Sequence, residues 1–216
     1  MAPMKRVVLV TLHYLLSKRK AGFHWLADAY WRAGWDVVFF TCYVSPLTYI
    51  RKADWRLAYP LRAEGNRPNR IRERMCSYVW YTRWHPFNLR LGVLNRLSMP
   101  VFRRYGRGPL GEAEPLVRGA DLLVFESCPG LMLFERFKAL SRSGRFVYRM
   151  SDLLSFLGVH PVVLETERRV APQFDLVSVP SEYILRRFEH LANVRLDYHG
   201  VRKALFDAES DNPYTE

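Results

Sequence analysis

Two carboxylate residues in the middle of this chain stand where a parallel sheet would present a proton acceptor. Glu126 ends the apolar run 122–125, and Asp152 follows the apolar run 145–149. The carboxyl ends of parallel strands line the crevice where ligands bind, so each carboxylate is a candidate general base. The alternative interpretation is a helix cap, because Asp152 and its neighbour Ser151 both suit that position. The same ambiguity applies to Glu126.

Three basic residues are predicted to share this crevice. His13 follows the apolar run 7–12, and His199 follows the run 194–196. Arg149 ends the predicted strand that precedes Asp152. We expect these side chains to lie near the carboxylates, because the ends of parallel strands meet at one edge of a sheet. For either histidine the competing interpretation is a structural hydrogen bond rather than a ligand contact.

Apolar runs and helical patterns alternate along most of the chain. The predicted strands are residues 7–12, 36–41, 78–82, 122–125, 145–149, 176–179 and 194–196. The predicted helices are residues 23–33, 91–105, 130–140, 161–170 and 181–191. This alternation is typical of an α/β domain whose parallel sheet has helices on both faces. We therefore predict one Rossmann-like domain over residues 1–200.

The positive charge of the chain is concentrated in one segment. The whole chain has a net charge of +12, and residues 51–107 hold fourteen Lys or Arg against three Asp or Glu, a balance of +11. We interpret residues 47–108 as a basic, Arg- and Trp-rich insertion on the fold. A patch of this kind predicts an anionic partner, which could be phospholipid, nucleic acid or a phosphorylated substrate.

Aromatic residues lie among these basic ones, with Trp80 and Trp84 on either side of Arg83. One functional interpretation is an interfacial surface, where Trp lies at the level of lipid headgroups and Arg contacts anionic lipid. A second is a platform on which nucleic-acid bases stack. The structural alternative is a packed aromatic cluster beneath a solvated basic face.

The cysteine content and the hydropathy limit the cellular compartments in which we expect this protein. The three cysteines, Cys42, Cys76 and Cys128, are far apart and have no metal-ligand spacing, so we expect neither a disulfide framework nor a metal site. No apolar run reaches the roughly 20 residues that a membrane span needs. The first apolar run is followed by basic residues rather than a cleavage site, which argues against a signal peptide. We expect a cytoplasmic protein, attached at most to a membrane surface.

Several motifs occur in an order and spacing that point to a family. They are His85-Pro-Phe-Asn, Asp121-Leu-Leu-Val-Phe-Glu-Ser, Val147-Tyr-Arg-Met-Ser-Asp, Arg169-Val-Ala-Pro, Asp175 and His199-Gly-Val. Together they resemble the N-terminal half of the glucuronosyltransferase of xanthan assembly, and Pro213-Tyr214 falls where that family's linker begins. The resemblance implies a GT-B fold, in which two Rossmann-like domains face each other across a cleft.

The resemblance also implies a reaction. The N-terminal domain would bind a polyprenyl-diphosphate-linked oligosaccharide acceptor, and a C-terminal domain would bind the nucleotide sugar. Transfer would invert the anomeric centre, use no metal or other cofactor, and take place at the cytoplasmic face of the inner membrane. The catalytic base of the family falls on Asp152. The loop with Lys18, Arg19 and Lys20, together with the basic insertion, would hold the lipid diphosphate and the anionic membrane surface.

Two departures from the family pattern limit what we expect. Arg202 stands where the family has Asp after the His-Gly-Val motif, and the chain ends at Glu216. We therefore expect residues 201–216 to begin a linker, the donor domain to be absent, and transfer by this half alone to be slight. The alternatives are a non-catalytic lipid- or glycan-binding subunit of a split transferase, or a nucleic-acid-binding module. The second is disfavoured because the charge lies on the insertion while carboxylates occupy the crevice.

Overall fold

The computed structural model describes residues 4–50, 55–141, 144–198 and 200. The strands are β1 (Arg6–Thr11), β2 (Asp36–Val44), β3 (Pro68–Arg72), β4 (Met75–Tyr81), β5 (Leu122–Glu126), β6 (Arg145–Arg149), β7 (Leu176–Val179) and β8 (Val194–Leu196). The helices are α1 (Gly22–Arg32), α2 (Gly92–Phe102), α3 (Ala113–Arg118), α4 (Phe134–Leu140), α5 (Pro161–Val170) and α6 (Glu182–Phe188). In these ranges no helix has the length and hydropathy needed to cross a bilayer.

The strands form one twisted sheet in the order β3-β4-β2-β1-β5-β6-β7-β8. Every neighbouring pair is parallel except β3 with β4, which is antiparallel. Parallel neighbours need a crossover connection, and helices α1, α4, α5 and α6 supply it for the pairs β1–β2, β5–β6, β6–β7 and β7–β8. The α/β, Rossmann-like prediction is therefore confirmed. Strands β6, β7 and β8 and helix α5 have the bounds that the sequence predicted.

Side chains of the central strands alternate between the two faces of the sheet, as strand geometry requires. Val7 and Leu9 of β1 pack beneath α1, where Phe23 is buried. Val8 and Val10 of the same strand point to the opposite face, into a larger core that α2 to α6 cover. Helices therefore lie on both faces, as predicted, and the two cores hold the strands in register.

The segment 47–108 is only partly an insertion, which corrects the prediction. Strand β4 pairs in parallel with β2 from Val37↔Met75 to Val44↔Tyr81, and β3 adds the antiparallel edge strand. The segment thus extends the sheet by two strands before it leaves the sheet to form α2. The predicted strand 78–82 was placed correctly but begins earlier, because residues 75–77 also pair with β2.

Candidate active site

Polar side chains from neighbouring parallel strands meet at the carboxyl edge of the sheet. Glu126, which ends β5, lies opposite Arg149, which ends β6, and Arg149 lies opposite Ser178 of β7. Thr11 ends β1 on the other side of β5. The register therefore places two hydroxyls, one carboxyl and one guanidinium side by side, which is the crevice position where ligands bind in such sheets.

Glu126 is a buried anchor at this edge. Its side chain is 4% exposed, and the Thr11 hydroxyl donates a short hydrogen bond to its Oε2. Ser151 donates from its hydroxyl to Oε1 at 3.1 Å, and Nε2 of His13 lies 3.4 Å from the same oxygen. Both carboxyl oxygens of Glu126 are thus engaged by groups of the chain itself. The carboxyl fixes the loops that follow β1 and β6.

His13 is brought to Glu126 by its backbone as well as by its ring. Its N–H donates to the Thr11 hydroxyl at 3.0 Å, and its carbonyl accepts from the Thr41 hydroxyl at 2.7 Å. The imidazole remains 28% exposed. His13 therefore lies at the rim of the crevice, with one edge toward the carboxyl and another toward solvent. The second predicted histidine, His199, lies outside the described residues.

Asp152 is exposed, but the backbone beneath it is held in place. The preceding Ser151 N–H donates to the Ser127 hydroxyl at 3.2 Å, and the following Leu153 and Leu154 are buried. In the described part of the chain, no hydrogen bond or ion pair engages the Asp152 carboxylate. An exposed carboxylate on an anchored loop is available to a ligand that enters the crevice.

The capping alternative for Asp152 is not what the structure has. The next helix, α5, begins at Pro161, and its cap is His160, whose Nδ1 accepts from the Val162 N–H at 3.1 Å. Seven residues separate Asp152 from that cap. The carboxylate therefore has no role in starting the helix.

Arg149 is half-buried, and its Nη1 donates to the Ser178 hydroxyl at 3.1 Å. This contact orients the guanidinium along the carboxyl edge of the sheet, between β6 and β7. The position agrees with a residue that meets an anionic part of a ligand.

A buried polar pair, Tyr148 and Glu167, lies beneath the carboxyl edge of the sheet and connects it to α5. The Tyr148 hydroxyl donates to the Glu167 carboxyl of α5 and lies 3.5 Å from the Ser127 hydroxyl. Burial raises the pKa of Glu167, although the hydrogen bond from Tyr148 opposes that effect. The pair links α5 to the residues that tether Ser151. The sequence analysis did not identify Thr11, Ser127 and Glu167 as site residues. The feature that could have indicated them is that they are polar residues next to the predicted strand ends or on a helix that covers them.

The loop after β1 is organised by a histidine that sequence reasoning did not single out. His24 of α1 lies with its Nε2 2.9 Å from the Tyr14 carbonyl, and its Nδ1 accepts from the Ala21 N–H. Burial lowers the pKa of His24. Lys20 donates from Nζ to the Leu15 carbonyl at 2.9 Å, which partly commits its charge to the loop.

Lys18 and Arg19 project from the same loop and are exposed. The Lys18 N–H donates to the Tyr59 hydroxyl at 2.9 Å, which ties the loop to the segment after β2. Two of the three predicted diphosphate-binding side chains in this loop are therefore free to extend into solvent.

The structure corrects the prediction for Trp80. Its side chain is 0% exposed, because it points into the larger core between Phe40 and Tyr105, and its indole N–H donates to the Pro109 carbonyl at 2.8 Å. A buried indole contacts neither lipid nor a stacked base. Trp84 is half-buried against the same core, whereas Arg83 is exposed.

Helix α2 packs by one face and leaves an apolar face exposed. On the inner face, the Ser98 hydroxyl lies 3.0 Å from His160 Nε2, and the buried Phe102 ring meets the same imidazole edge-on. The outer face carries four large apolar side chains that are each at least 42% exposed: Val93, Leu94, Leu97 and Val101. Arg96 and Arg104 flank them and are exposed. An exposed apolar patch with a basic rim is typical of a contact surface for a membrane or a protein.

Comparison with known proteins agrees with the motifs and the fold. The family described as "Glucuronosyltransferase GumK, N-terminal domain" matches residues 9–180. The chain is also 30% identical over 209 residues to the UDP-glucuronate:glycolipid 2-beta-glucuronosyltransferase of Xanthomonas campestris pv. campestris, an alignment that covers 97% of this chain and 51% of that enzyme. The chain thus spans about half the length of this curated relative. The chain belongs to the GumK N-terminal domain family, whose fold is the Rossmann-like half of a GT-B glycosyltransferase.

Proposed function

We propose that this chain is the acceptor-binding half of an inverting glycosyltransferase in exopolysaccharide assembly. Its acceptor would be a lipid-diphosphate-linked oligosaccharide, and its donor a nucleotide sugar held by a second domain. The observation that carries the proposal is the exposed Asp152 carboxylate on a loop tethered to the strand ends. Membership in the GumK N-terminal domain family supports the reaction class, and the relative's name specifies a glycolipid acceptor for that enzyme.

In the proposed mechanism, Asp152 accepts the proton of the acceptor hydroxyl as that oxygen attacks the anomeric carbon. One positioned base typically contributes about 10²–10⁴-fold to the rate, which corresponds to roughly 3–5 kcal/mol of barrier. Glu126 and His13 hold the loops that position the base. The step needs no metal or other cofactor in this half.

The cations near the crevice would bind the anionic part of the acceptor. Arg149 at the sheet edge and the exposed Lys18 and Arg19 of the first loop carry charge toward the side on which the acceptor diphosphate would enter. Guanidinium groups bind phosphate oxygens in pairs of parallel hydrogen bonds, which makes Arg149 suitable for that contact.

We further propose that the protein lies peripherally on the cytoplasmic face of the plasma membrane. The outer face of α2 supports this location, because its four exposed apolar side chains would be removed from water on contact with acyl chains. Arg96 and Arg104 beside them would meet anionic headgroups, each contributing about 1 kcal/mol near such a surface.

Transfer activity is the test of the function. A protein that carries this chain together with its donor domain should transfer sugar from a nucleotide sugar to a polyprenyl-diphosphate-linked saccharide and release the nucleotide. Product anomers resolved by NMR should be inverted relative to the donor. Failure with every lipid-linked acceptor, combined with salt-sensitive binding of single-stranded nucleic acid, would favour the nucleic-acid alternative instead.

A further inference from the structure

A second concave site lies among the helices that cover the larger core, and it shares no residue with the site formed by Thr11, Glu126, Arg149 and Asp152. It is a cavity of about 350 Å³ between the end of α2, the turn at 105–107, α4 and α5. Its lining includes four guanidinium groups and two carboxylates: Arg103, Arg107, Arg136, Arg169, Glu135 and Glu165. Pockets of roughly 300–1,000 Å³ are of the size that holds small ligands.

The positive charge of this cavity is only partly balanced. Arg103 pairs with Glu165 at 2.8 Å and Arg169 pairs with Glu135 at 2.7 Å, and in both pairs each side chain is at least half exposed. Exposed pairs of this kind contribute little and exchange readily. Arg107 faces no carboxylate within ion-pair distance among the residues that the structure describes. The cavity therefore presents excess positive charge to a ligand.

The backbone around Arg107 is closely packed. A Cβ at Gly106 would lie 2.0 Å from the Met132 carbonyl oxygen, so the turn that carries Arg107 packs directly on the segment before α4. Arg136 of α4 also donates a short hydrogen bond to the Gly108 carbonyl across the same contact. The Arg107 backbone and the Arg136 guanidinium are therefore already fixed, and fixed groups lose little freedom when a ligand binds.

We propose that this cavity binds a phosphate-bearing ligand. A planar guanidinium matches two phosphate oxygens at once, and Arg is the usual residue in such sites. Arg107 would make the leading contact, and Arg103 and Arg169 would turn from their exposed carboxylate partners toward the phosphate. The ligand is either a phospholipid headgroup or a free phosphate compound. Arg103 directly follows the last turn of α2, so the cavity lies at the C-terminal end of that helix. This site is independent of the transfer reaction.

Calorimetric titration of the chain with glycerol 1-phosphate tests the site. Wild type should bind saturably, Arg107→Ala should bind about tenfold more weakly, and Glu135→Gln should bind more tightly because a competing carboxylate is removed. Arg186→Ala, which removes an exposed cation from α6 outside the cavity, should match wild type. Absence of saturable binding, or equal loss in Arg107→Ala and Arg186→Ala, would overturn the proposal.

Binding to phosphatidylglycerol vesicles distinguishes a lipid headgroup from a free phosphate compound as the ligand. If the ligand is a lipid headgroup, Arg107→Ala should weaken binding to phosphatidylglycerol vesicles more than Arg186→Ala does. If it is a free phosphate compound, the two variants should bind these vesicles alike, while only Arg107→Ala loses affinity for glycerol 1-phosphate. If Arg107→Ala weakens binding neither to glycerol 1-phosphate nor to the vesicles, the proposed site is wrong.

Discussion

At the scale of single residues, the two carboxylates that the sequence presents alike have opposite surroundings. Glu126 is buried, and both of its oxygens are held by Thr11, Ser151 and His13. Asp152 is exposed on the loop that those contacts anchor. A carboxyl that is already fully engaged positions its neighbours, whereas one that faces solvent can exchange a proton with a substrate. This contrast supports the proposal that Asp152, rather than Glu126, is the base.

The anchoring role of Glu126 predicts a stability effect at Thr11. Thr11→Val keeps the side-chain shape but removes the donor to Glu126 and the acceptor for the His13 N–H. Leaving buried polar groups without partners costs about 1–3 kcal/mol, so the free energy of unfolding should fall by that amount in urea denaturation. Thr166→Val is a matched control, because its buried hydroxyl donates only to a helix carbonyl, that of Val162. Equal losses in both variants would contradict the anchoring role.

The buried Glu167 predicts a pH dependence of stability. Burial raises the pKa of Glu167 in the folded state above the usual 4.5. At a pH between the unfolded pKa and the folded pKa, the folded state therefore holds a proton that the unfolded state has released. Stability from this group is present below 4.5 and is lost as pH rises through the folded pKa. Acidification from about pH 7 to about pH 5 should therefore raise the unfolding free energy of wild type relative to Glu167→Gln.

The exposed Glu189 offers the control for that comparison. Glu189→Gln removes a carboxylate that takes no part in the Tyr148–Glu167 pair, and it should leave the difference between wild type and Glu167→Gln unchanged. A wild type that loses stability relative to Glu167→Gln on acidification would show that the hydrogen bond from Tyr148, and not burial, dominates the pKa.

At the scale of elements, the exposed apolar face of α2 offers the most direct test of the proposed membrane attachment. Leu97→Asp places a charge in the centre of its exposed apolar face, where Leu97 is 71% exposed, so the fold should be unaffected. Burying a leucine side chain contributes about 1.5–3 kcal/mol. Binding to phosphatidylglycerol vesicles, measured by sedimentation, should therefore weaken by about tenfold or more.

Met4→Asp is the matched control, because it also replaces an exposed apolar side chain by a carboxylate but lies outside α2. Met4 is 59% exposed and precedes β1, at the opposite edge of the sheet from the crevice. Its substitution should leave vesicle binding unchanged. A similar loss in both variants would mean that added negative charge, rather than the α2 face, governs attachment.

Most of the sheet could be predicted from the sequence, and the exceptions have physical causes. Strands β6 to β8 are short runs of β-branched and aromatic residues with clear boundaries, so their bounds were predicted correctly. Strand β3 was missed because its Pro-Asn-Arg-Ile-Arg sequence is that of an exposed edge, where charge and Pro are tolerated. Trp80 was misassigned because basic neighbours outweighed its alternation with Tyr78, which places both side chains on the buried face.

The candidate site was predictable in position but not in detail. The strand-end rule located Glu126, Arg149, His13 and Asp152, since it depends only on a parallel sheet. Which carboxylate is buried depends on contacts between loops that are far apart in sequence, such as Thr11 with Glu126, 115 residues away. The outer face of α2 was likewise not predictable, because the helix has apolar residues on two sides and only packing decides which side is covered.

At the scale of the whole molecule, charge and apolar surface coincide. The segment 51–107 holds a balance of +11, and it contributes α2 with its exposed apolar face as well as the edge strand β3. The crevice carboxylates arise from the other half of the chain. This arrangement agrees with the proposed function, in which the basic half would meet an anionic surface and the strand ends would present the base.

The most direct test of this account is the turnover of Asp152→Asn in a protein that carries this chain together with a donor domain. We predict that kcat falls by about 10²–10⁴-fold, with vesicle binding, acceptor binding and the unfolding free energy unchanged. Glu189→Gln, which neutralises another exposed carboxylate, should retain normal kcat. Near-normal turnover of Asp152→Asn would contradict the assignment of Asp152 as the base that deprotonates the acceptor.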